Sequence, residues 1–576
     1  MAKTGYYDFS GGLNYRDDYI SPLELRDAKN LYWDGGKLAL RNGYEQRNAD
    51  LTAPTGFTLI ETLGQAWIKN PTYDEHFVFV SASTDASTVP DRIVPYHRSD
   101  IPTATNSAYT AVDTTAYHHS WTTADPFQIA VLDDKIYMAM GDTNPYVIYS
   151  TGTTWYCREL VVADYVNGGT TSTGAGIIVT SGADADWRGS KWVCAGETEG
   201  GACLFIGDDL TAYYGIKSAA KDPSKDIDAG TTQSIDGIDD SWAAEQYIIL
   251  DPNARIWKTV SIGAHLFLLG YNGIYRLSLR GKWEDDFGFQ RISDKGCWGG
   301  ALAADCGVFY VGQDGIYAND SIMSYNISKK MWSEVADNHS EIDNYVDSSI
   351  QYHNGYLYIS FPSATAGDVW KFDPDWIYSE GDESYAPMHR FQYTDTGGNV
   401  RGFKGLKSYE LKLIGLSSQH AWEMETETLD QHSTGSGRPI QWHMRSGWDD
   451  QGTPLTEKSY TKLGIEASSA IADGTTDGNY DFQVAFSVNH STAGNARGIS
   501  TGIDMEAATG TLHVNKSLDV PLSSDGYVLD GNCGAVEIIG ETSNVTTGAG
   551  DIGLSIYGYT VEYQPRVSPH EEVSTA

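Results

Sequence analysis

The chain has 576 residues, of which 40% are hydrophobic, and a formal net charge of −38 from 77 acidic and 39 basic side chains. So acidic a composition argues against a protein that holds nucleic acid by neutralising its phosphates. The length exceeds the roughly 250 to 300 residues at which single cores stop growing, so we expect two or more modules. The 61 glycines and 37 tyrosines, set among short β-branched and aromatic runs, are typical of an all-β protein.

Residues 1–50 predict an N-terminal anchoring segment with a short helix. Ser21 and Glu24 have the spacing of a capping box, and Pro22 suits the first position of a helix. Residues 34–36, Asp-Gly-Gly, then predict a turn into a strand. No secretory leader follows the opening methionine, so we expect the chain to fold where it is made.

Residues 51–434 predict a β-propeller of six or seven blades with long insertions. Residues 266–275 and 308–317 nearly repeat each other, and each copy runs from an apolar strand through a turn into a strand that opens on Ile-Tyr. A period near 40 to 45 residues is typical of propeller blades. Five similar runs are predicted to be further inner strands: 77–80, 136–140, 204–206, 356–359 and 411–414. The turns of the two copies contain the residues Asn272, Gly273, Asp314 and Gly315.

Residues 435–566 predict a C-terminal β-sandwich, because the pattern changes there to an alternation of apolar and polar residues. Runs with the two-residue period of a half-buried strand lie at 440–444, 462–466, 480–488, 535–539 and 556–563. The last residues, 567–576, are polar and predict a flexible tail.

The motifs predict neither an enzyme nor a cofactor. The zinc-protease pattern H-E-x-x-H and the phosphate loop G-x-x-x-x-G-K-[ST] are absent, and the six cysteines include no C-x-x-C pair. The acidic stretch from Asp222 to Asp240 could hold Ca²⁺, although the spacing of known calcium loops is missing. No apolar run approaches the roughly 18 residues of a spanning helix. We therefore expect no catalytic residue, cofactor, small-molecule substrate or membrane-spanning segment.

The start of the chain resembles phage tail proteins of the nozzle, tail tubular or packaged-DNA-stabilisation type. The resemblance rests on the run Gly11-Gly12-Leu13-Asn14 and on the spaced residues that follow it: Pro22, Asn30, Gly36, Leu38, Arg41, Gly43 and Tyr44. In that family such a start precedes a β-propeller and a β-rich platform. Six copies typically form a ring that closes the portal and tail channel.

The resemblance implies a structural protein of the virion tail, made in the host cytoplasm and assembled as a hexamer. Its partners would be portal or adaptor proteins, other tail proteins and tail fibres, and DNA would pass without specific binding. Ring symmetry, and the choice between nozzle, adaptor and fibre hub, stay open. The alternative is a carbohydrate-binding or polysaccharide-degrading propeller in host recognition, with aromatic platforms and paired acids at one mouth.

Overall fold

The computed structural model consists of strands and turns, with one short α-helix among the described residues, α1 (Trp332–Asn338). It describes residues 1–566 except the segments 17–19, 49, 85–91, 100–107, 113–126, 133, 142–144, 152–153, 163–176, 180–189, 199–200, 210, 217–246, 252, 281–286, 321–323, 339–346, 363–366, 428–429, 434–435, 470–480, 492–495, 505–511 and 542–553. The predicted acidic stretch at 222–240 and the predicted tail at 567–576 therefore lie outside the described residues. In the described part, no helix is long and apolar enough to cross a membrane.

Six short strands come before the propeller. They are β1 (Ala2–Tyr6), β2 (Gly12–Leu13), β3 (Glu24–Lys29), β4 (Leu31–Trp33), β5 (Leu38–Leu40) and β6 (Gly43–Gln46).

Five blades are then built from consecutive antiparallel strands. The first contains β7 (Thr58–Lys69), β8 (Asp74–Ser83), β9 (Arg92–Ser99) and β10 (Thr110–Ala111). The second contains β11 (Gln128–Leu132), β12 (Lys135–Ala139), β13 (Tyr146–Thr151) and β14 (Thr154–Val162), extended by the parallel strand β15 (Ile177–Val179). The third contains β16 (Trp192–Thr198), β17 (Gly201–Gly207), β18 (Thr211–Ile216) and β19 (Tyr247–Ile249).

The fourth and fifth blades carry the two sequence repeats. The fourth contains β20 (Ile256–Ile262), β21 (His265–Gly270), β22 (Gly273–Ser278) and β23 (Gly288–Ser293). The fifth contains β24 (Ala301–Ala304), β25 (Gly307–Val311), β26 (Ile316–Asn319) and β27 (Ser324–Asn326). Helix α1 follows the fifth blade.

Two further blades follow, and the seventh uses a strand that is distant in sequence. The sixth contains β28 (Ser349–His353), β29 (Tyr356–Phe361), β30 (Asp368–Phe372) and, after a 3-10 helix (Pro374–Trp376) and the hairpin β31 (Tyr378–Glu380) and β32 (Glu383–Tyr385), the strand β33 (His389–Phe391). A small hairpin follows, β34 (Tyr393–Thr394) and β35 (Val400–Arg401). The seventh contains β36 (Lys404–Tyr409), β37 (Lys412–Ser417), β38 (His420–Glu427) and the N-terminal strand β6, extended by β39 (Asp430–Ser433) and β40 (Ser436–Arg438).

The blades close into a ring, which confirms the prediction of an all-β propeller. Their first strands contact one another in cyclic order: β7, β11, β16, β20, β24, β28, β36 and again β7. In the described part, each blade except the sixth is a separate sheet, whereas the sixth is one end of a ten-stranded sheet that continues into the C-terminal domain. The ring therefore has seven blades, one of which it shares with the rest of the protein.

The seven runs predicted as inner strands each fall in a different blade, but each is the second strand counted from the centre of the ring and not the first. They belong to the second strand of each blade: β8, β12, β17, β21, β25, β29 and β37. A second strand is paired on both edges and has neighbouring blades on both faces, so it is the most apolar strand of its blade. In β21, for example, Leu266 to Leu269 are all at most 1% exposed.

The C-terminal domain is a sandwich of two sheets. Its strands are β41 (Gln441–Ser446), β42 (Lys458–Ser469), β43 (Asp481–Val488), β44 (Arg497–Asp504), β45 (Leu512–Asp519), β46 (Asp530–Gly531), β47 (Gly534–Glu541) and β48 (Ser555–Pro565). One sheet runs β3-β41-β47-β43-β44 and the other β4-β5-β48-β42-β45. Buried residues such as Met444 and Ile556 from the two sheets share one core, which also includes Phe309 and Ile359 of the fifth and sixth blades. The propeller and the sandwich are therefore packed as one body.

The predicted helix after Ser21 is wrong, because residues 24–29 form strand β3. The capping-box contacts do form: Glu24 Oε2 accepts from the Ser21 amide at 3.1 Å, and Ser21 Oγ accepts from the Leu23 amide at 3.3 Å. They close a turn instead of a helix. Strand β3 pairs with β41 on one edge and with β2 and β33 on the other, and this long-range pairing overrides the local signal.

The N-terminal segment is distributed over both domains. Strands β1 and β5 pair with β48, β3 pairs with β41, and β6 pairs with β38. The first 50 residues therefore complete one blade and both sheets of the sandwich, instead of forming a unit of their own.

Strand β6 closes the propeller through Tyr44. Its side chain is 0% exposed and makes edge contacts with Tyr393, Phe403 and Trp422 at ring distances of 5.5, 5.6 and 5.1 Å. Its hydroxyl donates to the Thr394 carbonyl at 2.9 Å. The outer part of the seventh blade is thus built around a residue from the N-terminus.

Hydrogen bonds of the Gln65 side chain connect the first and seventh blades. The Gln65 amide donates to the carbonyls of Gly405 at 2.6 Å and Ile414 at 2.9 Å, so its oxygen faces His76 Nε2 at 2.8 Å. Because that nitrogen must donate, Nδ1 of the neutral ring accepts from the Tyr109 hydroxyl at 2.7 Å. Burial lowers the pKa of His76 to about 3.

We expect Tyr44→Ala to lower the free energy of unfolding by about 3 kcal/mol or more, because it leaves a cavity among three buried rings. Denaturant unfolding followed by tryptophan fluorescence measures the change. Tyr527→Ala is the control, since Tyr527 is 65% exposed, and its effect should stay within about 0.5 kcal/mol. Equal losses in the two variants would contradict the closing role of β6.

We also expect acid to destabilise the fold through His76. Between the ordinary histidine pKa and about 3, the unfolded chain binds a proton that the folded chain does not. Stability is therefore full above pH 6.5 and falls as the pH drops, by up to about 1.4 kcal/mol per pH unit for this one group. Unfolding midpoints from pH 7 to 5 should fall less steeply in His76→Gln. An NMR titration in which His76 takes up its proton near pH 6.5 in the folded protein would refute this.

Candidate functional site at the junction of propeller and sandwich

The residues of the N-terminal motif lie mainly where the first strands pass between the propeller and the sandwich. Asn30, Arg41 and Gly43 lie beside the seventh blade. Gly11 and Gly36 line a cavity together with residues of strand β31, and Asn14 donates to Glu24 of the same cavity. These motif residues thus fall into two groups, which we call the arginine clamp and the junction cavity.

The arginine clamp is centred on Arg41, which is 0% exposed. Its two terminal nitrogens bind the Asp430 carboxylate in a bidentate pair at 2.7 and 2.8 Å. The remaining donors reach Asn30 Oδ1 at 2.8 Å and the carbonyls of Asn42 at 2.8 Å and Gln392 at 2.6 Å. Every guanidinium N–H therefore has an acceptor.

The contacts of the clamp also raise the pKa of the Arg41 guanidinium. Burial by itself lowers the pKa of Arg41, but the contact with Asp430 outweighs burial and raises it. The guanidinium also lies over the Tyr393 ring, 4.0 Å from its centre. Asp430 accepts in addition from the Thr394 amide and hydroxyl, both at 2.9 Å. The pair thus ties the end of β5 to the strands around the seventh blade.

Asn30 holds the turn between β3 and β4. Its backbone has φ +63°, a left-handed conformation that Asn tolerates better than most residues. Its amide donates to the Arg390 carbonyl at 2.8 Å, and its side chain donates to the Gln441 carbonyl at 2.6 Å. Its side-chain oxygen also accepts from the Gln392 amide at 2.7 Å. One residue therefore joins the sixth blade, the clamp and the sandwich. Gly43 follows the clamp as the first residue of β6, paired with Glu427.

The floor of the junction cavity is a partly buried ionic network around Lys330. Glu24 accepts from the Asn14 side chain at 2.9 Å and from Lys330 Nζ at 2.5 Å. Lys330 also donates to the Tyr378 hydroxyl at 3.1 Å and lies 2.8 Å from a Glu380 oxygen. Burial opposes the charge of Lys330, but the contacts with Glu24, Glu380 and Tyr378 prevail and raise its pKa. The single ammonium of the cavity is therefore occupied by the protein's own groups.

Above this floor the cavity has a volume of about 720 Å³, within the usual range of binding pockets. Its apolar walls are Leu23, Trp33, Trp376 and Ile377. Leu23 and Trp376 are 44% and 43% exposed, which is unusual for side chains of this size.

Two glycines of the motif are required by close packing next to the cavity. A Cβ on Gly11 would lie 2.7 Å from Glu24 Cγ. Gly12 has φ +72°, and a Cβ there would lie 2.7 Å from Pro387. Gly36 lies in the exposed β4–β5 turn with φ +116°, and Pro22 lies in the exposed turn before β3.

The blade-turn residues lie away from the junction. Asn272 lies in the turn between β21 and β22, and Gly273 is the first residue of β22; the Asn272 side chain donates to the Asn253 carbonyl at 2.7 Å. Asp314 and Gly315 connect β25 to β26. Asp314 accepts from the Tyr317 hydroxyl at 2.6 Å. These contacts stabilise turns and bring no reactive groups together.

Sequence reasoning missed Lys371, which lies in an aromatic cage. It is 3% exposed, and its ammonium lies 3.6 Å from the ring centre of Tyr32, 4.2 Å from that of Tyr356 and 5.6 Å from that of Phe391. Burial lowers its pKa to about 8. The cage couples β4 to the sixth blade. Its aromatic residues are far apart in the sequence, so local pattern carried no signal for it. The same applies to Lys330 and Asp430.

No family model matches the chain, and no curated protein matches it. Among solved structures, it is similar to BBS1N in complex with ARL6DN, with 7% identity over 68% of this chain and 100% of that one and a TM-score of 0.36. It is also similar to YCF48 bound to D1 peptide, with 7% identity over 66% and 99% and a TM-score of 0.34. A glycoside hydrolase matches with 8% identity over 87% and 98% and a TM-score of 0.24. Such distant similarity extends to the general propeller fold alone.

We expect Arg41→Met to lower the free energy of unfolding by about 3 to 5 kcal/mol, because it leaves the Asp430 carboxylate buried without a cation. The double variant Arg41→Met with Asp430→Leu should recover part of the loss. Lys3→Met is the control: the Lys3 side chain is 60% exposed, its ammonium lies 3.8 Å from a Glu562 oxygen, and its loss should cost about 1 kcal/mol at most. Denaturant unfolding compares the four proteins. Equal midpoints for Arg41→Met and Lys3→Met would rule out the clamp as a major stabilising contact.

Proposed function

We propose that the chain is a structural component of a phage tail that assembles as a ring, a hexamer, around the channel through which DNA leaves. In this role the protein catalyses nothing. It supplies a rigid wall and surfaces for portal, adaptor, fibre or other tail proteins.

The observation that carries the proposal is the position of the N-terminal motif. The residues on which the resemblance to tail nozzle proteins rests include Asn30 and Arg41, which fasten the propeller to the sandwich. A segment that completes both domains prevents them from moving independently. A wall that holds a pressurised genome needs such rigidity, whereas hinged domains are typical of proteins that close around a ligand.

The charge supports the same role. A net charge of −38 on each copy would give a ring a strongly negative potential. Phosphates within a screening length of roughly 8 to 10 Å of such a wall are repelled, so a duplex could pass without adhering.

Mass photometry and negative-stain microscopy of the purified chain test the proposal. We expect closed rings with a central hole and a mass of about 378 kDa, six times the 63.0 kDa of one chain. Arg41→Met should form fewer rings, and Lys3→Met should form as many as the wild type. A chain that stays monomeric from nanomolar to tens of micromolar concentration, and that does not bind portal complexes, would overturn the proposal.

A further inference from the structure

We propose that the junction cavity binds an arginine- or lysine-bearing segment of a different protein. The inference deepens the proposed function, on which it rests, by naming the chemistry of one partner. The cavity lies at the junction and is open to solvent, and its walls combine apolar surface with acidic groups.

The charge of the lining selects a cation. Four carboxylates line the cavity, from Asp8, Glu24, Asp375 and Glu380, against the single ammonium of Lys330. That ammonium already contacts Glu24 and Glu380. Among the described residues, neither Asp8 nor Asp375 has an ion-pair partner. An incoming guanidinium would therefore meet acceptors that the protein has left without a cation.

The apolar walls select a long side chain in preference to a small ion. Trp376 follows Asp375 directly in the 3-10 helix, and its indole is 43% exposed at the cavity. A guanidinium that pairs with the Asp375 carboxylate could lie against this indole, as arginine commonly does on tryptophan. Its methylene stem would cover Leu23, which is 44% exposed. A free metal ion or amine would use none of this surface.

The same features disfavour the other occupants. An anionic sugar or a phosphate would face a net negative lining. A neutral sugar could use the serine hydroxyls of the lining, but it would leave the carboxylates of Asp8 and Asp375 without a cation. A second copy of the chain carries −38 itself, so its approach to an acidic cavity is opposed. A basic segment of another protein meets neither obstacle.

Binding of two fluorescein-labelled peptides tests the inference. The probe is acetyl-Gly-Arg-Leu-Arg-Gly-amide, and the control peptide carries Gln in place of both Arg residues. Fluorescence anisotropy at low salt should show binding of the arginine peptide that weakens as salt is added, and at least tenfold weaker binding of the glutamine peptide. Trp376→Ala and Asp375→Asn should each weaken binding by about tenfold. Tyr527→Ala and Asp525→Asn, a matched pair on the sandwich, should leave it unchanged.

Several outcomes would overturn the inference. One is equal binding to the wild type and both cavity variants, which would move the site elsewhere. Another is equal binding of the two peptides. A third is a neutral oligosaccharide such as maltohexaose that binds the wild type but not Trp376→Ala, while the arginine peptide does not bind. Rings that form in the wild type and are lost in Trp376→Ala would identify a second copy as the occupant.

The same proteins separate this inference from the proposed function. If the wild type forms rings but does not bind the peptide, only the inference about the cavity is refuted. If the peptide binds to a chain that never forms rings, the assignment of the cavity stands and the proposed tail role is refuted.

Discussion

The pairing of Arg41 with Asp430 is the contact on which the arrangement of the domains depends. A buried ion pair of this kind adds little net stability compared with an apolar pair, but removing one partner is costly. The pair is therefore most useful as a device that enforces one arrangement. Residues 30, 41 and 430 must meet before the guanidinium is satisfied, and they belong to the N-terminal segment and to strand β39, which extends the seventh blade. The chain cannot bury this charge unless the propeller has closed.

Ring closure and domain docking are consequently one event. Strand β6 completes the seventh blade, and β1, β3 and β5 complete the sandwich. The core between them is continuous with the fifth and sixth blades. A propeller closed by its own last strand would leave its ends free to move. Here the closing strand is also the connection to the second domain, so loosening either domain exposes apolar surface in both.

Features that repeat along the chain or depend on neighbouring residues could be predicted from the sequence. Single contacts between residues far apart in the sequence could not. The propeller could be predicted because Gly273 and Gly315 mark the same turn after the same apolar strand. Strand β3 could not, because Ser21 and Glu24 make helix-like contacts while the partner strand β41 lies some 400 residues away. Asp430 is one of 77 acidic residues, and nothing local distinguishes it. The junction cavity joins three separate segments, so its aromatic and acidic lining appears only in the fold.

The buried charged groups do not relieve the acidity of the protein surface. Arg41 and Lys458 are 0% exposed, and Lys371 is 3% exposed. Each is held by internal groups; Lys458, for example, donates to the carbonyls of Thr453, Thr456 and Asn532. Five carboxylates, those of Glu24, Glu45, Asp368, Glu423 and Asp430, are buried in the described part as well, so the burial of charged groups leaves the acidic excess at the surface almost unchanged. Copies of such a chain repel one another, so a ring needs apolar contacts or a basic partner at its interfaces. Under the proposed function, the acidity that would keep DNA from adhering therefore also favours neighbours that bring apolar surface or positive charge.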